Sequence, residues 1–198
     1  MITPSHLVYS WALAKKTEGD GGKAKPRRTL AFMLGGLLPD LPTYLFFVIH
    51  TIFIQTTQQQ LWDEVYFQSS WTPVITLSHS LILWPVVLTL GLYFKLRYLT
   101  WIGAAATVHV IMDFFVHNDD AYRHFWPLSD WKFQSPISYW DPAHFGILIS
   151  TLDTLVVIGL LVWLTTLYQG NGKKVVYVAM ILYLVGVLAP MLWFGLLM

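Results

Sequence analysis

Apolar stretches of membrane-spanning length alternate with short polar ones along most of the chain. Thr3 to Ala14 reads as a short helix capped by Ser5 or Thr3 and is too short to cross a bilayer. Lys15 to Arg28 is a polar, glycine-rich, basic linker. Thr29 to Ile54 is a long apolar run interrupted at Pro39-Asp40-Leu41-Pro42, where two close prolines predict a kink or a break. Gln55 to Trp71 is polar and predicts a loop or surface helix. Pro73 to Phe94 predicts a second span with a kink at Pro85, and Leu99 to Val116 a third. Gly103 and the three alanines after it permit close helix contact in that third span. A tryptophan-rich polar loop covers His117 to His144. Phe145 to Tyr168 and Val175 to Met198 complete the pattern. The expectation is an all-α, polytopic transmembrane bundle forming one domain over residues 1–198. It has about five spans, one of them broken, and a short N-terminal helix.

Composition agrees: 56% of residues are hydrophobic and 12% charged, with a mean hydropathy of +0.55. Soluble domains carry about 25% charged residues. There is no basic patch with interleaved aromatics, so no nucleic-acid partner is expected. The absence of cysteine excludes disulfides, thiolate ligands and cysteine nucleophiles. Met1 to Leu13 lacks a basic start and a small-residue cleavage site, so it does not read as a cleaved signal. Ten of the twelve basic residues fall on one side if the spans alternate, and only Arg123 and Lys132 on the other. The positive-inside rule makes the basic linkers cytoplasmic and the 117–144 loop external.

Within the apolar segments lie Asp40, His79, His109 and Asp113, with His6 in the first helix. Ionisable groups at such positions are costly and usually functional. His109 and Asp113 are four residues apart, and His117 four further on, so all three share one helix face. A plain Asp–His hydrogen bond between helices would also explain that spacing. Counted from the nearest cytoplasmic basic residue, His6 lies roughly 13 Å deep, Asp40 and His109 roughly 18 Å, and His79 and Asp113 roughly 24 Å. Four segments thus place polar groups in one layer, where a divalent cation would neutralise them. The nitrogen and oxygen donors suit Zn²⁺, with Mn²⁺ or Fe²⁺ as alternatives. Ser78 and Ser80 flank His79, either as supports for the ligands or as ordinary helix-packing serines. His117, His124, Asp141 and His144 supply further candidates for metal or substrate, or simple loop exposure. Trp126, Trp131 and Trp140 read first as an interfacial belt. His50 and Asp153 are assigned no site role.

The order His6, Leu-Leu-Pro39-Asp40, Ser78-His79-Ser80, His109-x3-Asp113, then Phe125-Trp126-Pro127-Leu128-Ser129-Asp130 resembles the YdjM-type family of inner-membrane proteins, classed as metal-dependent hydrolases. That family is distantly similar to the zinc-dependent phospholipase C and P1-nuclease fold. The resemblance runs from His6 to about His144. It implies a main metal site of Asp40, His79, His109 and Asp113, with His6 joining Asp113 on a second ion and His117, His124 or His144 available to a third. Two features of the relatives are absent: a His-Arg-Gly before the central histidine and a later His-x3-Glu. The expected activity is hydrolysis of an amphiphilic or lipid-linked phosphoester by a metal-activated water, with Asp113 and Asp40 as catalytic carboxylates. Membrane lipid and an amphiphilic substrate are the expected partners. A membrane carrier for metal or small solutes, or a structural membrane protein, are the competing readings. The sequence leaves the oligomeric state open.

Overall fold

The computed structural model describes residues 1–18, 25–66 and 70–195, which are helical apart from their connections. Lys23 of the basic linker, residues 67–69 and residues 196–198 of the last apolar run lie outside the described residues. The helices are α1 (Thr3–Lys16), α2 (Pro26–Leu37), α3 (Leu41–Val48), α4 (Trp71–Ser78), α5 (Leu83–Tyr93), α6 (Arg97–Val116), α7 (Gly146–Leu167) and α8 (Gly170–Gly195). A wide helical turn, Ile49–Ile54, continues α3, and short turns over Gln58–Gln60 and Leu61–Val65 lie in the polar segment that follows.

Three helices, α6, α7 and the Gly170–Val187 part of α8, are each long and apolar enough to cross a membrane. Two bent pairs raise the number to five if each pair is one span. One joins Pro26–Leu37 to Leu41–Ile54 at 63°, the other Trp71–Ser78 to Leu83–Tyr93 at 54°. The first bend falls at the expected Pro39–Pro42 break. The second does not fall at Pro85, which sits harmlessly in the first turn of α5, where its missing N–H is not needed. The helix breaks instead at His79–Ile82. The Leu81 amide is diverted to the His124 carbonyl at 2.8 Å, and Ser80 Oγ accepts the Ile82 amide at 3.1 Å.

Local starts also differ from the sequence expectation. Ile2, not Ser5 or Thr3, caps α1 without a side-chain bond, because the Thr3 hydroxyl donates to Asp40 instead. Pro26 opens α2 three residues before the expected Thr29, its fixed φ suiting a first helical turn.

The chain divides into two compact units at Ser150/Thr151. In the first, α6 is the central helix and α1, α2 and α5 pack on it. Close packing follows from small residues. A Cβ on Gly35 would lie 2.3 Å from the Ile102 carbonyl oxygen, and one on Gly36 would lie 2.3 Å from Ser10 Oγ. Ala105 on α6 is buried against Gly35 and Ala106 against Trp84 of α5, the role the Gly-Ala run suggested. The second unit holds most of α7 and all of the described α8. Val157, Leu161 and Leu164 form its buried stripe at i, i+4, i+7 spacing. The candidate site lies wholly in the first unit.

Candidate metal centre

Asp40, His79, His109 and Asp113 converge, each buried, so that one ligand atom from each lies within 4.8 Å of the others. Each arrives for a local reason. Asp40 is the residue at which α2 gives way to α3, so its side chain leaves at the bend. His79 ends α4 at the second break. His109 and Asp113 project from one face of α6. The two helix breaks and one continuous helix thus meet at a single point.

The imidazoles are held by their outer nitrogens. His109 Nδ1 donates to the Gly36 carbonyl at 2.8 Å, and His79 Nδ1 to the Ile75 carbonyl at 3.0 Å. A carbonyl only accepts, so both Nδ1 atoms carry hydrogen and both Nε2 atoms face inward. His109 Nε2 lies 3.1 Å from Asp113 Oδ2 and 3.5 Å from Asp40 Oδ1, yet is buried and makes no hydrogen bond among the described residues. His79 Nε2 lies 3.2 Å from Asp40 Oδ1 and 3.9 Å from Asp113 Oδ2. Lone pairs of nitrogen and oxygen pointed at one another in a dry interior need a cation between them, either protons on the rings or a metal ion. The donor set of two imidazole nitrogens and two carboxylates fits a divalent metal, and the buried, unpartnered Nε2 of His109 is the atom such an ion would use.

Asp113 has a second side. Its Oδ1 faces His6 Nε2 at 3.0 Å, His117 Nε2 at 3.5 Å and the Met1 amino nitrogen at 2.5 Å. His117 ends α6 in extended conformation and still reaches this oxygen, while its Nδ1 lies 2.8 Å from Asp120 Oδ2. Burial opposes charge on His117, but Asp113 and Asp120 outweigh it and raise its pKa. Asp120 is lowered, because the hydrogen bond from His117 outweighs its burial.

No protein family, curated protein or solved structure matches this chain.

The remaining candidates divide. Ser78 Oγ donates to the Pro39 carbonyl at 2.7 Å and lies 3.3 Å from His79 Nδ1, so it links the two bends that carry ligands. Ser80 supports the loop instead, donating to the Trp126 carbonyl at 2.8 Å. His124 is fully buried rather than loop-exposed, with Phe114 and Tyr122 rings around it and neither ring nitrogen hydrogen-bonded among the described residues. Burial first, then His117 and His79, lower its pKa to about 4. Asp141 and His144 pair with each other at 2.6 Å, and Asp141 accepts the Ala143 amide. Among the described residues neither forms an ion pair with the cluster. His50 packs its ring on Phe46.

Several residues at the site carried no sequence signal. The Thr3 hydroxyl holds the second oxygen of Asp40. Tyr122 lies flat on His79, ring centroids 3.8 Å apart and 9° from parallel. Tyr139 packs against His117. A cavity of about 300 Å³ opens onto the cluster, with Asp40, Asp113 and His117 on its floor and Tyr44, Tyr122 and Tyr139 on its walls.

Proposed function

We propose that this chain is a membrane-embedded, metal-dependent hydrolase acting on an amphiphilic phosphoester. The observation that carries the reading is the buried Asp40–His79–His109–Asp113 cluster open to a cavity, with Asp113 presenting one oxygen to His109 and the other to His6. A divalent ion held there, Zn²⁺ being the first choice for this donor set, would supply Lewis-acid polarisation and an activated water. The chain's own residues do the rest. The Gly36 and Ile75 carbonyls fix the histidine tautomers. Asp113 and Asp40 are the carboxylates placed to orient a water and accept its proton. Tyr122 holds the His79 ring in plane by stacking. The resemblance to YdjM-type proteins supports the same reaction class.

The spans sit, in this reading, in a cell inner membrane with the basic linkers in the cytoplasm and the 117–144 loop outside. Asp141 and His144 then belong to the outer surface, apart from the reaction.

The test is product release from phospholipids, lipid-linked phosphates and generic phosphoester probes, using detergent-solubilised, metal-loaded protein. Turnover that chelators block and His79→Ala abolishes is the expected result. Identical background from wild type and His79→Ala across the panel would sink the hydrolase reading. Metal binding without turnover would favour a carrier.

A further inference from the structure

The cavity over the cluster meets α3 along one stripe. Asp40, Thr43, Tyr44 and Phe47 all line it, and they stand at i, i+3, i+4 and i+7. One face of α3 therefore forms a continuous wall, rising roughly 10 Å from the carboxylate to the phenyl ring. The next stripe of the same helix looks outward and is apolar. Leu45 and Val48 are exposed there, and so is Ile52 in the wide turn that continues α3. Tyr44 belongs to both surfaces, since it lines the cavity and is 46% exposed. The cavity thus comes to the surface beside an apolar helix face.

Its lining has a specific chemistry. Among the described residues no lysine or arginine contributes, and the Met1 amino group that lines it is paired with Asp113. The hydroxyls of Tyr44, Tyr122 and Tyr139 make no hydrogen bond among the described residues, and Thr43 Oγ1 is buried with no partner. Hydroxyls without a protein partner around a cation-binding floor suit a ligand rich in acceptor oxygens. A volume of about 300 Å³ is at the small end for ligand pockets and takes a head group rather than a long chain.

We propose that this cavity is a lateral portal, in which a phospholipid places its phosphate among the tyrosine hydroxyls above the cluster and lays its acyl chain outside Tyr44, against the apolar face of α3 that carries Leu45 and Val48. The proposal rests on the membrane and phosphoester readings above and adds the route and the residues that define it. Tyr44 is the side chain the lipid passes, and Tyr122 and Tyr139 are the head-group contacts.

Photolabelling of the full chain in nanodiscs tests it, with phosphatidic acid carrying a diazirine in its acyl chain and adducts mapped by peptide mass spectrometry. Adducts are expected to concentrate severalfold on Tyr44, Leu45 and Val48 over Ile181 and Leu182, which are exposed apolar residues of α8. Excess unlabelled phosphatidic acid should remove the enrichment, and inorganic phosphate should not. A fatty alcohol with the same diazirine chain should show none. Tyr44→Trp, which narrows the opening at an exposed position, should cut the Leu45 and Val48 adducts severalfold. Uniform labelling of α3 and α8, or equal enrichment with the fatty alcohol, overturns the proposal. Enrichment without any turnover would leave the portal standing and remove the hydrolase. Turnover without enrichment would do the reverse.

Discussion

The rings of His6 and His109 stack face to face, with centroids 3.6 Å apart and planes 14° from parallel. Two imidazolium cations would repel at that distance in a buried setting. At least one ring is therefore neutral, which is the form that binds metal. Purified protein is expected to carry at least one tightly bound divalent ion, measured by elemental analysis. His109→Ala and Asp113→Ala should each lose most of it. Full metal content in both variants would leave the cluster as a proton-linked network only.

Ser78 and Ser80 flank the same histidine and should behave differently. Ser78→Ala removes the tie between His79 and the Pro39 carbonyl, and metal affinity should fall about tenfold or more by competitive chelator titration. Ser80→Ala breaks a bond to the loop, and should cost about 1 kcal/mol of stability while leaving metal affinity near wild type.

Gly36 is tight against α1. A methyl there would lie 2.3 Å from Ser10 Oγ and 2.9 Å from the His6 carbonyl oxygen, so Gly36→Ala should destabilise by about 1–3 kcal/mol. Thermal unfolding in detergent reads the loss. Adding Ser10→Ala should recover only part of it, because the backbone clash with His6 remains. An unchanged midpoint would mean that α1 and α2 are not held at this spacing.

His124 gives a pH dependence with a definite sign. Its pKa is 6.5 when unfolded and is lowered to about 4 by burial, then by His117 and His79. The unfolded chain takes up the proton first, so the neutral ring's contribution is complete above about pH 6.5 and declines as pH falls toward 4. His124→Phe keeps the packing against Phe114 and removes this proton. Its unfolding midpoint should fall less steeply between those pH values than wild type does. Parallel curves would exclude His124 as a source of the acid sensitivity.

Much of the buried Asp–His cluster was legible in the chain. His109 and Asp113 share a helix face by spacing alone, and Pro39–Pro42 marked the bend that releases Asp40. The second bend was not legible, because Pro85 is the obvious breaker while the actual break depends on hydrogen bonds to residues 124 and 126. The tyrosines were hidden for a related reason. A tyrosine in a tryptophan-rich loop looks interfacial, and only tertiary packing puts Tyr122 on His79. His124 lies in that loop, and only the packing of Phe114 and Tyr122 around it accounts for its burial.

A reporter placed after Lys25 should read as cytoplasmic and one near Asp120 as external. The opposite result would turn the cavity toward the cytoplasmic leaflet.

The interruption between α4 and α5 leaves backbone groups that the loop completes, through the Leu81 amide on the His124 carbonyl and the Ser80 hydroxyl on the Trp126 carbonyl. Neither segment can satisfy its main chain without the other. The two should open as a single cooperative unit, with the Leu81 amide exchanging its hydrogen in step with the amides of Ser135 and Tyr139, which the end of α6 holds. Proteolytic nicking of the loop would then loosen His79 from some forty residues away, without any cut near it.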